Sequence, residues 1–196
     1  ATSLAKAEGL PAWGREHDLL AGLAGAPMWD QDGVHEIYAG WREVLDTYPG
    51  TTMIGEAWVE PAERLARYVA PGGMHQVFHF DLLRAPWRVA DLRAAIASSL
   101  ESAGAVGAPT TWVLSNHDVV RHTTRLTLPP GRNNPEGIGP LDPQPDEELG
   151  LRRGRAATAV VLALPGAAYL YQGEELGMGP VAVSYTHLTL PTKRIV

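Results

Sequence analysis

The chain has 196 residues, a formal net charge of −6, 45% hydrophobic and 19% charged residues, and no cysteine. This composition excludes a disordered chain, a disulfide-stabilised scaffold and a thiolate metal site. Lys and Arg form no basic stripe, and no apolar run reaches the roughly 18 residues of a membrane span, so we expect neither a nucleic-acid nor a membrane partner. Because the absence of cysteine fits a reducing compartment, we expect a cytoplasmic location.

Four segments carry the apolar spacing of helices. In chain order they are residues 30–48, 61–73, 89–104 and 148–166. Asp30 or Asp32 is predicted to cap the first helix, and Pro61 begins the second at a first-turn position. The fourth is almost entirely apolar in its second half, which indicates a buried helix.

Four short apolar runs alternate with these helices along the chain. They are residues 51–58, 75–83, 110–118 and 167–177. Their apolar residues are consecutive rather than alternating, which is typical of strands buried on both faces of a parallel sheet. The order of helices and strands therefore predicts an α/β fold with a parallel sheet.

Every predicted strand ends on a carboxylate, which favours a barrel over a doubly wound sheet. These carboxylates are Glu56, Asp81, Asp118 and the pair Glu174–Glu175. In a (β/α)8 barrel the strand ends and the loops after them build the active site from several strands. A doubly wound sheet usually carries a Gly-rich phosphate loop, and the sequence contains none.

Glu56 lies between Ile54 and the ring of Trp58, and we predict an apolar pocket around it. Such a pocket disfavours the charged form of a carboxylic acid, which suits a general acid. The alternative is a strand-end Glu that pairs with a neighbouring cation or faces water. Glycoside hydrolysis needs two carboxylates, one to protonate the leaving oxygen and one to attack or to activate water.

Asp118 and His117 end the third strand, and Arg121 follows closely. A carboxylate accepts and an imidazole donates hydrogen bonds, so these residues are candidates for binding a polyhydroxylated ligand. The alternatives are a helix cap at Asp118 and a buried core histidine at His117. Asp81 and Glu174 are predicted to cap helices or to form ion pairs.

The remaining polar and aromatic residues give weaker signals. We interpret four histidines as structural, because no zinc-binding spacing is present; they are His35, His75, His79 and His122. Ser115 lacks a G-x-S-x-G elbow, so acyl transfer is not expected. Four aromatic residues are candidates for stacking on sugar rings: Trp13, Trp29, Trp58 and Tyr171.

The chain resembles glycoside hydrolase family 13, the α-amylase family, in four segments at matching spacings: MIGEAW, QVFHFDLL, TTWVLSNHD and GAAYLYQGEELGM. Two further segments are most similar to bacterial α-glucosidases of the oligo-1,6-glucosidase type: PMWDQDGVHEIYAGWREVL and LSNHDVVRHTTRL. The resemblance implies the C-terminal half, about strands 5 to 8, of a (β/α)8 barrel over residues 1–181. Residues 182–196 resemble translated sequencing-adapter DNA, and we expect them not to be biological.

The resemblance also implies roles for single residues. Glu56 corresponds to the general acid/base, and Asp118 to the carboxylate that binds sugar hydroxyls and stabilises the transition state. His117 is its neighbour in the same subsite, and Arg121 is a further substrate-binding candidate. The family nucleophile is an Asp that falls just before Ala1, so residues 1–196 alone are expected to be inactive. One departure is His79, where the family usually has Asn.

The expected function of the parent protein is retaining hydrolysis of α-glucosidic bonds in short oligosaccharides or disaccharides. One alternative is a transferring or isomerising relative, such as a sucrose isomerase or a trehalose synthase. An alternative of another class is a non-catalytic amylase-like interaction domain. Calcium occurs in the family, but no ligand cluster is evident in the sequence, so we expect no cofactor and no metal.

Overall fold

A computed structural model of the chain contains a four-stranded parallel sheet with the strand order β1-β2-β3-β4. The strands are β1 (Ile54–Gly55), β2 (Gln76–His79), β3 (Thr111–Val113) and β4 (Ala167–Tyr169). The structure describes residues 26–129, 138 and 143–179, so Trp13 and the segment 182–196 lie outside the described residues. Each of the four predicted runs contains one observed strand.

Neighbours along the chain are also neighbours in the sheet. Gln76 lies opposite Ile54, Trp112 opposite His79, and Ala168 opposite Trp112, all in parallel pairs. Parallel neighbours need a crossover between them, and a helical segment separates each strand from the next. The carboxyl ends of the strands therefore lie along one edge of the sheet, as the α/β prediction requires.

Within the described residues, six α-helices precede, separate or follow the strands along the chain. They are α1 (Val34–Leu45), α2 (Ala62–Arg67), α3 (Asp81–Arg84), α4 (Val89–Ala105), α5 (His122–Arg125) and α6 (Glu147–Ala163). The four longer predictions correspond to α1, α2, α4 and α6. The two short helices and a 3-10 turn, Glu174–Leu176, were not predicted, because three or four residues carry no measurable period.

The predicted cap of α1 is wrong. Gly33 is the N-cap residue and makes no side-chain cap bond. Asp30 and Asp32 bind arginines of α2 instead: Arg64 donates to both, and Nη1 of Arg67 lies 2.6 Å from Oδ1 of Asp32. An aspartate is attracted by the full positive charge of arginine more strongly than by a backbone N–H at a helix start, so the tertiary pairing prevails.

The chain divides into two units. The first comprises Ala1–Val113 and Val160–Tyr169 and contains the whole sheet; the second comprises Leu114–Ala159 and Leu170–Val196. One buried cluster of the first unit consists of Val59, Leu65, Tyr68, Val69, Met74 and Val77. In the second unit, a Cβ at Gly150 of α6 would lie 2.2 Å from the carbonyl oxygen of Thr123, so only glycine permits this approach.

Burial alternates along β2, unlike the continuous burial that the sequence predicts. Val77 and His79 are buried, whereas Gln76 and Phe78 are half-buried. Phe78 packs edge-on against Tyr169 of β4, and the Tyr169 hydroxyl donates to Oε1 of Gln76 at 2.7 Å. β3 is buried at all three positions, as predicted.

The buried His79 makes the stability of the fold depend on pH. Burial lowers the pKa of His79 below its ordinary 6.5, and the nearby Asp81 carboxylate offsets only part of this shift. The unfolded chain takes up a proton as the pH falls through about 6.5, while the folded chain does not. The free energy of unfolding should therefore decrease below pH 6.5, by at most ~1.4 kcal/mol per pH unit.

Urea denaturation between about pH 7.5 and pH 5 tests this prediction. The variant His79→Asn should show a flatter pH dependence than the wild type, because Asn does not titrate. Identical pH profiles for the two proteins would assign the effect to another group.

Candidate active site

Glu56 follows β1 directly and is exposed to solvent. The ring of Trp58 stacks on the ring of Phe80, with centroids 3.9 Å apart and planes 13° apart. Ile54 is itself 40% exposed. The prediction of an apolar pocket formed by Ile54 and Trp58 is therefore wrong, since Trp58 packs against an aromatic ring of another segment and Ile54 remains open to water.

The carboxylate after β2 has a structural partner. Asp81 lies in the first turn of α3, and its Oδ1 is 3.1 Å from Nη2 of Arg84. The same nitrogen of Arg84 also donates to Glu60. The prediction that Asp81 forms an ion pair is confirmed.

Asp118 and His117 lie in the loop after β3, and both side chains are exposed. Nε2 of His117 is 3.4 Å from Oδ1 of Asp118. Asn116 Oδ1 accepts the backbone N–H groups of Asp118 at 2.9 Å and of Val119 at 3.1 Å. The backbone of this loop is therefore held by the protein itself, while the imidazole and the carboxylate stay accessible to a ligand.

Arg121 contacts two residues of the segment after β4. Its guanidinium lies 4.7 Å from the centre of the Tyr171 ring and donates to the carbonyl oxygen of Gln172. A cation over an aromatic face is attracted by the ring quadrupole. Arg121 therefore packs on Tyr171, one of the aromatic candidates for sugar stacking.

A buried polar cluster comprises Ser115, His122 and Glu174. Ser115 Oγ lies 3.0 Å from Nδ1 of His122 and accepts the His122 backbone N–H at 2.9 Å. Oε1 of Glu174 is 3.2 Å from the same ring nitrogen. In a Ser-His-acid triad the serine and the acid bind opposite ring nitrogens, so this cluster is not a nucleophile site. The structural interpretation of His122 is confirmed, and Glu174 contacts its ring nitrogen, which is an ion pair only when the imidazole is protonated.

The carboxyl of Glu174 depends on this cluster for its charge. Burial alone would raise its pKa, but hydrogen bonds from His122 and Ser115 outweigh burial, and the pKa lies below the ordinary 4.5. The ionised form therefore stabilises the fold above pH 4.5, and this contribution is lost as the pH falls through the folded-state pKa. We expect Glu174→Gln to lower the free energy of unfolding by about 1–3 kcal/mol near neutral pH.

Urea denaturation of the wild type and of Glu174→Gln measures this effect. The difference between the two proteins should shrink below pH 4.5. Glu175→Gln is the matched control, because Glu175 is adjacent in sequence but exposed, and it should leave stability unchanged. A difference that persists undiminished in acid would contradict the assigned role of the ionised carboxylate.

Arg125 lies in the same unit, and no pattern in the sequence indicates a role for it. Its side chain is buried and donates to two backbone carbonyl oxygens, those of Leu114 and Val120. Every residue has a backbone carbonyl, so no sequence signal could have identified these partners.

Among residues 26–129, 138 and 143–179, no group of three His, Asp or Glu side chains is arranged to hold a metal ion. No helix in these ranges combines the length and the apolar character needed to cross a bilayer.

Comparison with known proteins identifies the family. Residues 2–192 match the family model "Alpha amylase, catalytic domain". The chain belongs to the alpha-amylase family. The catalytic domains of this family are (β/α)8 barrels, and the parallel sheet with its intervening helices is the matching α/β architecture. The family resemblance and the fold class predicted from the sequence are both confirmed.

The related proteins are named for more than one activity. The trehalose synthase/amylase TreS of Mycolicibacterium smegmatis is 30% identical, over 71% of this chain and 27% of that protein. A probable alpha-glucosidase of Rhizobium meliloti is 27% identical, over 80% of this chain and 26% of that protein. The crystal structure of the alpha-glucosyl transfer enzyme XgtA matches with a TM-score of 0.61 and 27% identity, over 80% of this chain and 26% of that chain.

The chain thus spans about a quarter of the length of the relatives that it matches. The alpha-amylase family contains glycoside hydrolases and transglycosylases that act on α-glucosidic carbohydrates. Relatives named for hydrolysis and for glucosyl transfer both occur, so family membership alone does not decide between the two reactions.

Proposed function

We propose that this chain is part of a retaining α-glucosidase that hydrolyses α-glucosidic bonds in short oligosaccharides or disaccharides. The observation that carries the proposal is that the Glu56 carboxylate is unpaired within the described residues. Among the described residues, its exposed carboxylate has no hydrogen-bond or ion-pair partner, whereas Asp81 and Glu174 are both bonded. A strand-end carboxylate that the fold does not use is available to a substrate.

The proposed mechanism assigns a role to each candidate residue. Glu56 donates a proton to the glycosidic oxygen while the sugar passes to an Asp nucleophile, which we expect upstream of Ala1 in the complete protein. The Glu56 carboxylate then takes a proton from the water that releases the sugar. Asp118 and His117 hydrogen-bond to glucose hydroxyls, and the charge of Asp118 stabilises the oxocarbenium-like transition state. Arg121 contributes a further substrate-binding group.

The first experiment is sequencing of the source DNA across both ends of this reading frame, followed by expression of the complete protein. An upstream strand that ends in Arg-x-Asp, and α-glucose as the first product seen by NMR from an aryl α-glucoside, are the expected results. β-Glucose as the first product would refute retention. Absence of turnover would favour the non-catalytic interaction domain.

A second candidate is isomerisation by a trehalose synthase. Its support is the relative named trehalose synthase/amylase, at 30% identity. Both reactions form the same glucosyl intermediate and differ in whether water or a retained sugar resolves it. Incubation with maltose separates the two candidates, because the hydrolase releases glucose, whereas the isomerase forms trehalose.

A further inference from the structure

Arg125 bonds both ends of the loop that carries Asp118. Nη1 donates to the carbonyl oxygen of Val120 at 2.6 Å, and Nη2 donates to that of Leu114 at 2.7 Å. The residue is only 6% exposed. Because these two carbonyls flank residues 115–119, one planar guanidinium sets the separation of the ends of the loop. The guanidinium is a rigid fork of donors, so the distance between the Leu114 and Val120 carbonyls is fixed within narrow limits.

The same loop is also held from within. Ser115 Oγ accepts the backbone N–H of His122 at 2.9 Å. Asn116 Oδ1 accepts the N–H groups of Asp118 and Val119. The Asp118 side chain, by contrast, is 55% exposed. The position of its carboxylate therefore depends on a backbone that these hydrogen bonds hold in place.

We propose that Arg125 is a positioning residue for the reaction: it holds the loop ends at Leu114 and Val120 and thereby places the Asp118 carboxylate against the transition state. This inference rests on the proposed function, in which Asp118 stabilises that state. A displacement of about 1 Å in a catalytic group costs on the order of 100-fold in rate. An interaction made only in the transition state lowers kcat without a matching rise in KM.

The test compares Arg125→Lys with Arg153→Lys in the complete protein. A lysine ammonium is a single point donor and does not reproduce the fork that reaches two carbonyls. Arg153 is the matched control, because it is part-buried and also donates to a backbone carbonyl, that of Leu126 at 2.6 Å, which lies outside the loop. Both variants are assayed for kcat and KM with an aryl α-glucoside and for hydrogen exchange of backbone amides.

Arg125→Lys should lower kcat by about 100-fold while KM stays within about threefold. The Asp118 and Val119 amides should exchange about tenfold faster, and Arg153→Lys should change neither quantity. Equal kcat values in the two variants, or faster exchange spread over the whole protein, would overturn the inference. If the wild type turns over no α-glucoside, the proposed function fails, and exchange at these two amides alone decides whether Arg125 holds the loop.

Discussion

Replacing Glu56 by Gln in the complete protein should lower kcat for maltose by about 100- to 10,000-fold. Gln has the size of Glu but cannot transfer a proton to the leaving glucose. An aryl α-glucoside with an activated phenol needs little protonation, so its first step should slow much less. Gln also cannot take a proton from the attacking water, so the second step stays slow and the glucosyl intermediate should accumulate. A burst of phenol release should report this accumulation.

Azide supplies a second readout for Glu56→Gln. It attacks the intermediate without needing a general base, so it should restore turnover of the aryl substrate and form a glucosyl azide. The control is Glu63→Gln, since Glu63 is an exposed carboxylate in the first turn of α2. Equal losses on maltose and on the aryl substrate, without a burst or azide rescue, would exclude Glu56 as the acid/base.

Replacing Asp118 by Asn should lower kcat by about 100- to 1,000-fold. Asn retains an oxygen that accepts hydrogen bonds but lacks the negative charge that stabilises the oxocarbenium-like transition state. The charge of the sugar ring develops with any leaving group, so maltose and the aryl substrate should lose activity alike. This uniform loss distinguishes the role of Asp118 from that of Glu56.

Stability measurements separate a catalytic defect in Asp118→Asn from misfolding. The side chain is exposed and the loop backbone is held by Asn116, so the free energy of unfolding should change by less than ~0.5 kcal/mol. Glu147→Gln, at an exposed position in the first turn of α6, is the control for removing one acidic charge. Full activity of Asp118→Asn, or a loss that depends on the leaving group, would contradict the proposed role.

Local patterns account for the parts of the fold that the sequence predicted. The run at residues 110–118 contains β3, which is buried throughout because its apolar residues are consecutive. The longer helices were found from their period. Short helices such as α3 and α5 were missed, because four residues span about one turn and leave no period to detect.

Candidate site residues were harder to rank from the sequence. Glu56 and Asp81 look equivalent there, since each is a carboxylate at the end of an apolar run. The structure separates them, because Asp81 pairs with Arg84 and Glu56 has no partner among the described residues. The predicted pocket around Glu56 was wrong because it assumed that Trp58 packs locally, whereas its ring stacks on Phe80.

The sequence by itself determined the α/β class, because hydrophobic periodicity can be read along the chain, and its motifs at matching spacings carried the resemblance to the alpha-amylase family. Only the tertiary structure decided which ionisable groups already have a partner within the protein. Glu174 meets His122 across about fifty residues of sequence, and Arg125 bonds backbone carbonyls that no side chain marks. Whether a buried polar group is hydrogen-bonded depends on which residues folding brings next to it. No local sequence pattern encodes those neighbours.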